Sequence, residues 1–224
     1  PLTMTIELLG GLALFLYGME KMTDGLKAAA GQQMNALLAK LTGNAVLGAI
    51  TGAIVTAVIQ SSSVTTVLVV GFVSAGIMTL VQSVGVIFGA NVGTTVTAQI
   101  VAFNTTALAY PLIAIGFFMS FVWKQGVVRH YGAMLMGLGL IFYGMAAMGS
   151  AMAPLRTHEG FAQLLQSLQN PVLGMLAGAL FTALVQSSSA TIGLSVVMAT
   201  QGLLSLPAGI AILFGAKIGT GITA

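Results

Sequence analysis

Two identical tetrapeptides, Gln60-Ser61-Ser62-Ser63 and Gln186-Ser187-Ser188-Ser189, interrupt long apolar segments. Such polar runs are costly in hydrocarbon unless a cavity, a ligand or other protein groups satisfy them. If each run breaks a helix, it presents two helix ends. The first arm ends in unpaired C=O groups and the negative end of its dipole. The second begins with free N–H groups and the positive end. N–H ends joined by Ser and Thr hydroxyls suit an oxyanion. C=O ends joined by Gln, Asn, Ser and Thr oxygens suit a small cation such as Na⁺. The pattern predicts that an anion and a cation bind together without any charged side chain. The two runs are expected to meet in one solute site halfway across a membrane.

Other residue types narrow the chemistry. With no cysteine there is no disulfide, thiolate catalysis or thiolate metal site. Three of the four acids, Glu7, Glu20 and Asp24, lie near the N-terminus, which disfavours a carboxylate metal cluster. His130 and His158 fall in connectors, so no Ser-His-acid set forms and no enzyme is expected. Lone Ser and Thr residues in membrane helices usually bond a neighbouring helix or their own backbone. Two QSSS runs at matching places point instead to a ligand. Thr65, Thr66 and Thr191 follow the runs and either line the site or pack. Lys217 is the one charged residue inside an apolar repeat core, and an intramembrane charge is a functional candidate by default. It replaces Asn91 of the first copy, either pairing with the anion or standing in for a cation. The alternative is that it snorkels to an interface.

The elements that must hold these residues are membrane helices. The hydrophobic fraction is 57% and only 5% of residues are charged, against about 25% in a soluble domain. The mean hydropathy is +1.03. No charged residue or His occurs in the 83 residues between Lys40 and Lys124, nor in the 57 between Glu159 and Lys217. As helix, the longer stretch would reach roughly 125 Å, about four passes of a ~30 Å core. The alternation of a β-barrel strand is missing.

The two runs are 126 residues apart, and this offset holds without a gap from Leu12 onward. Between 44–63 and 170–189, 12 of 20 positions are identical, and Phe88 to Thr95 matches Phe214 to Gly221. The first copy is read as repeat 1 over 1–105. It starts with an apolar helix over 6–19 and a stretch of helical spacing over 20–42, which lies in the interface or packs on the bundle. A re-entrant hairpin over 44–77 and a discontinuous helix over 79–103, broken at Gly89 to Thr95, complete it. A linking span (106–123) and a basic loop (124–130) follow. Repeat 2 covers 131–224, with its hairpin over 170–203 and an incomplete discontinuous helix over 205–224. Gly48 and Gly52, like Gly174 and Gly178, form GxxxG pairs suited to close helix packing.

The number of crossings between the copies is odd whether or not the hairpin arms span. The fold class is therefore an all-α membrane protein of two inverted-topology repeats, a known design for secondary transporters. The same topology puts residues 20–43 and 124–130 on one face with Lys21, Lys27, Lys40, Lys124 and Arg129. The other face carries only Arg156. Positive charge marks the cytoplasmic side.

The segments LALFLYGMEKMTDGLK, TAVIQSSSVTTVLVVGFV, GANVGTTVTAQIVAF and TALVQSSSAT together resemble the bacterial branch of the type II sodium–phosphate cotransporters. The resemblance covers essentially the whole chain. It implies Na⁺-coupled uptake of inorganic phosphate through a multi-pass protein of the bacterial inner membrane. The two QSSS runs would form the substrate and sodium sites, lined by Gly89 to Thr95. The expected phosphate ligands are Ser61, Ser62, Ser63, Ser187, Ser188, Ser189, Asn91, Thr94 and Lys217. The expected Na⁺ ligands are Gln60, Gln186, Thr65, Thr66, Thr95, Thr191 and Thr220. No cofactor is expected beyond co-transported Na⁺, and no nucleic acid. Small-residue faces permit a homodimer. Members of the branch often continue into further helices and a PhoU-like regulatory domain, so the chain is expected to be a piece of a longer protein. GAKIGTG at 215–221 departs from the pattern, where GANIGTT is expected. Another anion (a dicarboxylate or sulfate) on the same architecture, or an anion channel, is the alternative.

Overall fold

The computed structural model describes residues 2–30, 44–102, 106–157 and 159–222. Lys40, the rest of the stretch 31–43, Phe103 and His158 lie outside the described residues. Among the described residues there are ten α-helices and no strand. They are α1 (Leu2–Ala30), α2 (Ala45–Ile59), α3 (Ser62–Ser74), α4 (Leu80–Ala102) and α5 (Thr106–Val122). Then come α6 (Val127–Met152), a 3₁₀ turn (Ala153–Thr157), α7 (Glu159–Ser167), α8 (Pro171–Val185), α9 (Ser188–Thr200) and α10 (Leu206–Ile222).

The all-helical expectation holds, with three corrections to the elements. First, α1 does not stop after Met19. Gly11, Phe15, Gly18, Met22 and Gly25 are all buried and recur at four- and three-residue steps, so one apolar seam carries the helix through Glu20 and Lys21. Second, the basic loop is shorter than 124–130. Gly126 makes the turn at φ 94, and Val127 already begins α6, placing Arg129 and His130 in its first turn.

Third, neither α4 nor α10 is discontinuous. The glycines expected to break them instead let helices touch. A Cβ built on Gly85, Gly89 or Gly93 would run into the backbone oxygen of Ala45, Ala49 or Ala53 in turn. These are four-residue steps on both α2 and α4, so the helices lie parallel and in register. In the second copy Gly215 and Gly219 meet the oxygens of Met175 and Ala179 in the same way. At the place of Gly85 stands Ala211, whose methyl rests against Gly174. Helix interiors tolerate glycine at a cost of about 1 kcal/mol relative to Ala, and close backbone approach is what these positions gain.

The described residues divide into two compact units. Those within Glu20–Ile100 and Ala114–Met136 form the unit of the first hairpin, and those within Pro1–Met19, Val101–Ile113 and Gly137–Thr223 form that of the second. In the first-copy unit Val55 and Ile59 of α2, Val69 of α3, Met78 of the connector before α4 and Val86 of α4 are buried together. In the second-copy unit α1 and α6 cross at Gly11 and Gly144, each backbone within reach of the other. A cluster of Leu165, Leu204, Ala208 and Ile212 seats α7 on the start of α10.

Two helical stretches, Leu80–Ile100 and Val127–Leu155, are long and apolar enough to cross a membrane. The arms α2 and α3 have 15 and 13 residues, roughly 22 and 20 Å as helix, less than a ~30 Å core. Their outer faces are apolar: Val46, Leu47, Ile50 and Ile54 on α2 are exposed, as are Leu173, Leu176, Leu180 and Leu184 on α8. Contiguous exposed apolar faces of this extent call for lipid or another apolar surface.

Candidate functional site

Each QSSS run is one helix end followed at once by a helix start. Gln60 closes α2 in the left-handed region, at φ 58 and ψ 23, and its N–H donates to the Thr56 carbonyl. A non-glycine residue there is uncommon and marks a tightly determined turn. Its side-chain amide donates to the Ala57 carbonyl, which offsets the cost. Ser61 then swings to an extended conformation, φ −144 and ψ 106, and its Oγ accepts from Val64 N at 3.3 Å as the N-cap of α3. Gln186 (φ 57, ψ 26) and Ser187 (φ −144, ψ 108) repeat the turn, with Ser187 Oγ accepting from Ala190 N at 3.2 Å.

One turn below each tip a buried hydroxyl pair ties the arms. Thr56 Oγ1 and Thr65 Oγ1 are 2.9 Å apart, and Thr182 Oγ1 and Thr191 Oγ1 are 2.6 Å apart. Thr65 Oγ1 also donates to the Ser61 carbonyl at 3.2 Å, and Thr191 Oγ1 to that of Ser187 at 3.3 Å. Each hydroxyl has one proton, so Thr56 donates to Thr65, and Thr182 to Thr191. The sequence reading missed Thr56 and Thr182, although both copies carry the signal: a Thr four residues before the Gln and another nine residues further on.

The N-caps leave the first N–H groups of α3 and α9, those of Ser62, Ser63, Ser188 and Ser189, without an intrahelical acceptor. The hydroxyls of the same four serines make no hydrogen bond to another described residue. Each tip thus offers two N–H and two O–H donors on the positive end of a helix dipole. On the other side of the turn, the Val58 and Ile59 carbonyls receive no N–H across it. The arrangement can therefore hold an oxyanion on one side of the turn and a cation on the other.

The remaining expected ligands sit apart from the tip within their own units. Gly93 faces Ala53, Thr56 and Ala57. In parallel register this puts Thr94 and Thr95 about one helical turn short of Gln60, and Asn91 about two. Thr94 is buried and bonds the Ala90 carbonyl at 3.0 Å. Thr95 is exposed, Oγ1 to Val92 O at 2.6 Å, and Asn91 is exposed. Thr66 and Thr220 likewise bond their own helices, to Ser62 O at 2.8 Å and Ala216 O at 2.9 Å. Lys217 lies two residues before Gly219, which faces Ala179 and Thr182, so it too is about two turns from its tip.

A cleft of about 650 Å³ opens in the second-copy unit, among Leu155, Leu165, Gln166, Gln169, Gln201 and Ser205. It lies at the end of α9 opposite the tip and has no charged lining. The tips, with their unpaired donors, lie outside this cleft's lining.

The fold and the apolar helices define an all-helical membrane protein with duplicated helix–turn–helix tips. The profile of the Na⁺/Pi-cotransporter family matches residues 14–150 and 143–224, and the chain belongs to that family. It is 29% identical over 211 residues to the uncharacterized protein YqeW of Bacillus subtilis, covering 94% of this chain and 68% of that one. It is 30% identical over 220 residues to the "Putative inorganic phosphate export protein YjbB" of Escherichia coli, covering 98% of this chain but 40% of that one. A segment of 56 residues is 48% identical to the human sodium-dependent phosphate transport protein 2B, covering 25% of this chain and 8% of that one. No solved structure matches.

Proposed function

We propose that the protein is a secondary transporter of inorganic phosphate coupled to Na⁺. The observation that carries this reading is the pair of matching tips, each with two N–H and two O–H donors free on a helix start beside open carbonyls on a helix end. An oxyanion and a bare cation are the ligands that chemistry selects. Membership of the Na⁺/Pi-cotransporter family supports the same pair. No covalent step is involved: donors and carbonyls replace the ions' hydration shells, and the tips are exposed to each side of the membrane in alternation.

The fuller proposal has a multi-pass protein of the bacterial inner membrane with inverted repeats, re-entrant hairpins at 44–77 and 170–203, and residues 20–43 and 124–130 cytoplasmic. The short arms and their apolar outer faces support the hairpins. The longer protein is proposed to carry a PhoU-like regulatory domain and to form a homodimer. Net flux follows the coupled gradients, so an inward Na⁺ gradient drives uptake. A second reading, export, is favoured by the name that YjbB carries.

Flux of labelled phosphate in proteoliposomes, with Na⁺ gradients imposed in either direction, tests this. Uptake that needs Na⁺ and falls at least tenfold in Ser62→Ala and in Ser188→Ala is expected. Flux of folded protein that ignores Na⁺ removes the coupling, and no phosphate flux at all removes the reading. Flux that runs only outward under both gradients selects export.

A further inference from the structure

The second copy holds a cation where the first holds none. Lys217 and Asn91 occupy the same place, 126 residues apart, on helices packed through the same glycine register. At about 100° per residue, Lys217 is roughly 200° around α10 from Gly215, so its side chain leaves the helix on the side away from α8. Its stem is half-buried, yet its Nζ is fully buried and has no hydrogen-bond partner among the described residues. A lysine that snorkels to an interface would show the reverse, with the stem covered and the ammonium wet.

A buried ammonium is tolerated only with a counter-charge or a dense set of acceptors. Among the described residues no acid or carbonyl bonds Nζ. An anion from solution would supply the missing partner.

We infer that Lys217 is a single, asymmetric anion-pairing site on α10: the transported oxyanion contacts its ammonium, about two turns from the second tip, at a step for which the first copy has only Asn91. This rests on the transport reading and adds to it a residue outside the QSSS runs. The cation sites are not involved, so Lys217 sets affinity for the anion and leaves Na⁺ dependence alone.

The test compares wild type, Lys217→Asn and Lys217→Arg in two assays on the full chain. One is Na⁺-driven phosphate flux in proteoliposomes. The other is the rise in thermal midpoint that phosphate produces in detergent. Lys217→Asn is expected to raise the phosphate KM at least tenfold and to lose most of the thermal rise, with half-saturating Na⁺ unchanged. Lys217→Arg, which keeps the charge, is expected to stay within threefold of wild type. An unchanged phosphate KM in folded Lys217→Asn overturns the inference and leaves the transport reading standing. A shift in half-saturating Na⁺ with phosphate KM unmoved also overturns it, in favour of a stand-in for a cation. Folded Lys217→Arg that is ten times weaker overturns it even if Lys217→Asn does not fold. A thermal rise present in wild type and lost in Lys217→Asn, with no flux in either, supports the inference and removes the transport reading. No flux and no rise in wild type removes both.

Discussion

In α3, the arm after the first tip, Val64, Val67 and Val70 are exposed and only Ser62, Thr65 and Val69 are buried. In α9, the arm after the second, every residue from Ser188 to Gly193 is buried, with Ser195 and Val197 beyond. The tips that start these arms agree within 3° in every backbone angle quoted above. The turn is local chemistry, built from one left-handed Gln and one capping Ser, so equal sequences give equal turns. The cover is not local. Phe15 of α1 is wholly buried, and its ring lies where a Cβ on Gly193 would go. The matching residue of α3 is Val67, 51% exposed. Duplicated motifs can thus share geometry while differing in what reaches them.

The contrast can be broken or sharpened by paired substitutions. The largest effect is expected from Gly89→Leu and Gly215→Leu. Both force a side chain into a neighbouring helix backbone, and each should cost about 3 kcal/mol, the upper range for overpacking. Gly10→Leu, where a Cβ meets nothing within 4 Å, is the control. Thermal midpoints in detergent should fall alike for the pair; a fall in only one would mean the two registers differ.

Unequal effects come next. Gly193→Ala pushes on the Phe15 ring and should cost about 1–2 kcal/mol, whereas Val67→Ala on the exposed face should stay within about 0.5 kcal/mol. Equal midpoints for these two would show that α9 is no better covered than α3. The smallest effect is expected at the caps. Ser61→Ala and Ser187→Ala each remove one N-cap oxygen, worth about 1 kcal/mol, and should lower the midpoint by the same amount. A difference between them would mean that one Ser hydroxyl has a second role.

Much of this was legible in the chain. The hydroxyl run placed each break between Ile59 and Ser62, and between Val185 and Ser188, because four polar residues cannot continue an apolar helix face unnoticed. The repeat offset foretold matching tips. The glycines at 89, 93, 215 and 219 misled. Spacing by four is a packing signal as much as a breaking one, and only the neighbouring backbones of Ala49, Ala53, Met175 and Ala179 decide between the two. Gly11, Phe15, Gly18, Met22 and Gly25 could have been read as one seam, but the charges from Glu20 to Lys27 disguised it.

By itself the sequence determined the helical class, the duplication and the turn at each QSSS run, since these depend on composition and on residues within one helical turn of each other. The tertiary structure alone decided which Thr hydroxyls pair, that α4 and α10 run unbroken, and that Lys217 has its stem half-buried and its ammonium covered. Those outcomes depend on what lies opposite a given residue: for the packed glycines a backbone about 40 residues away in the chain, and for the Thr56–Thr65 and Thr182–Thr191 pairs a hydroxyl across a turn whose angle the neighbours set.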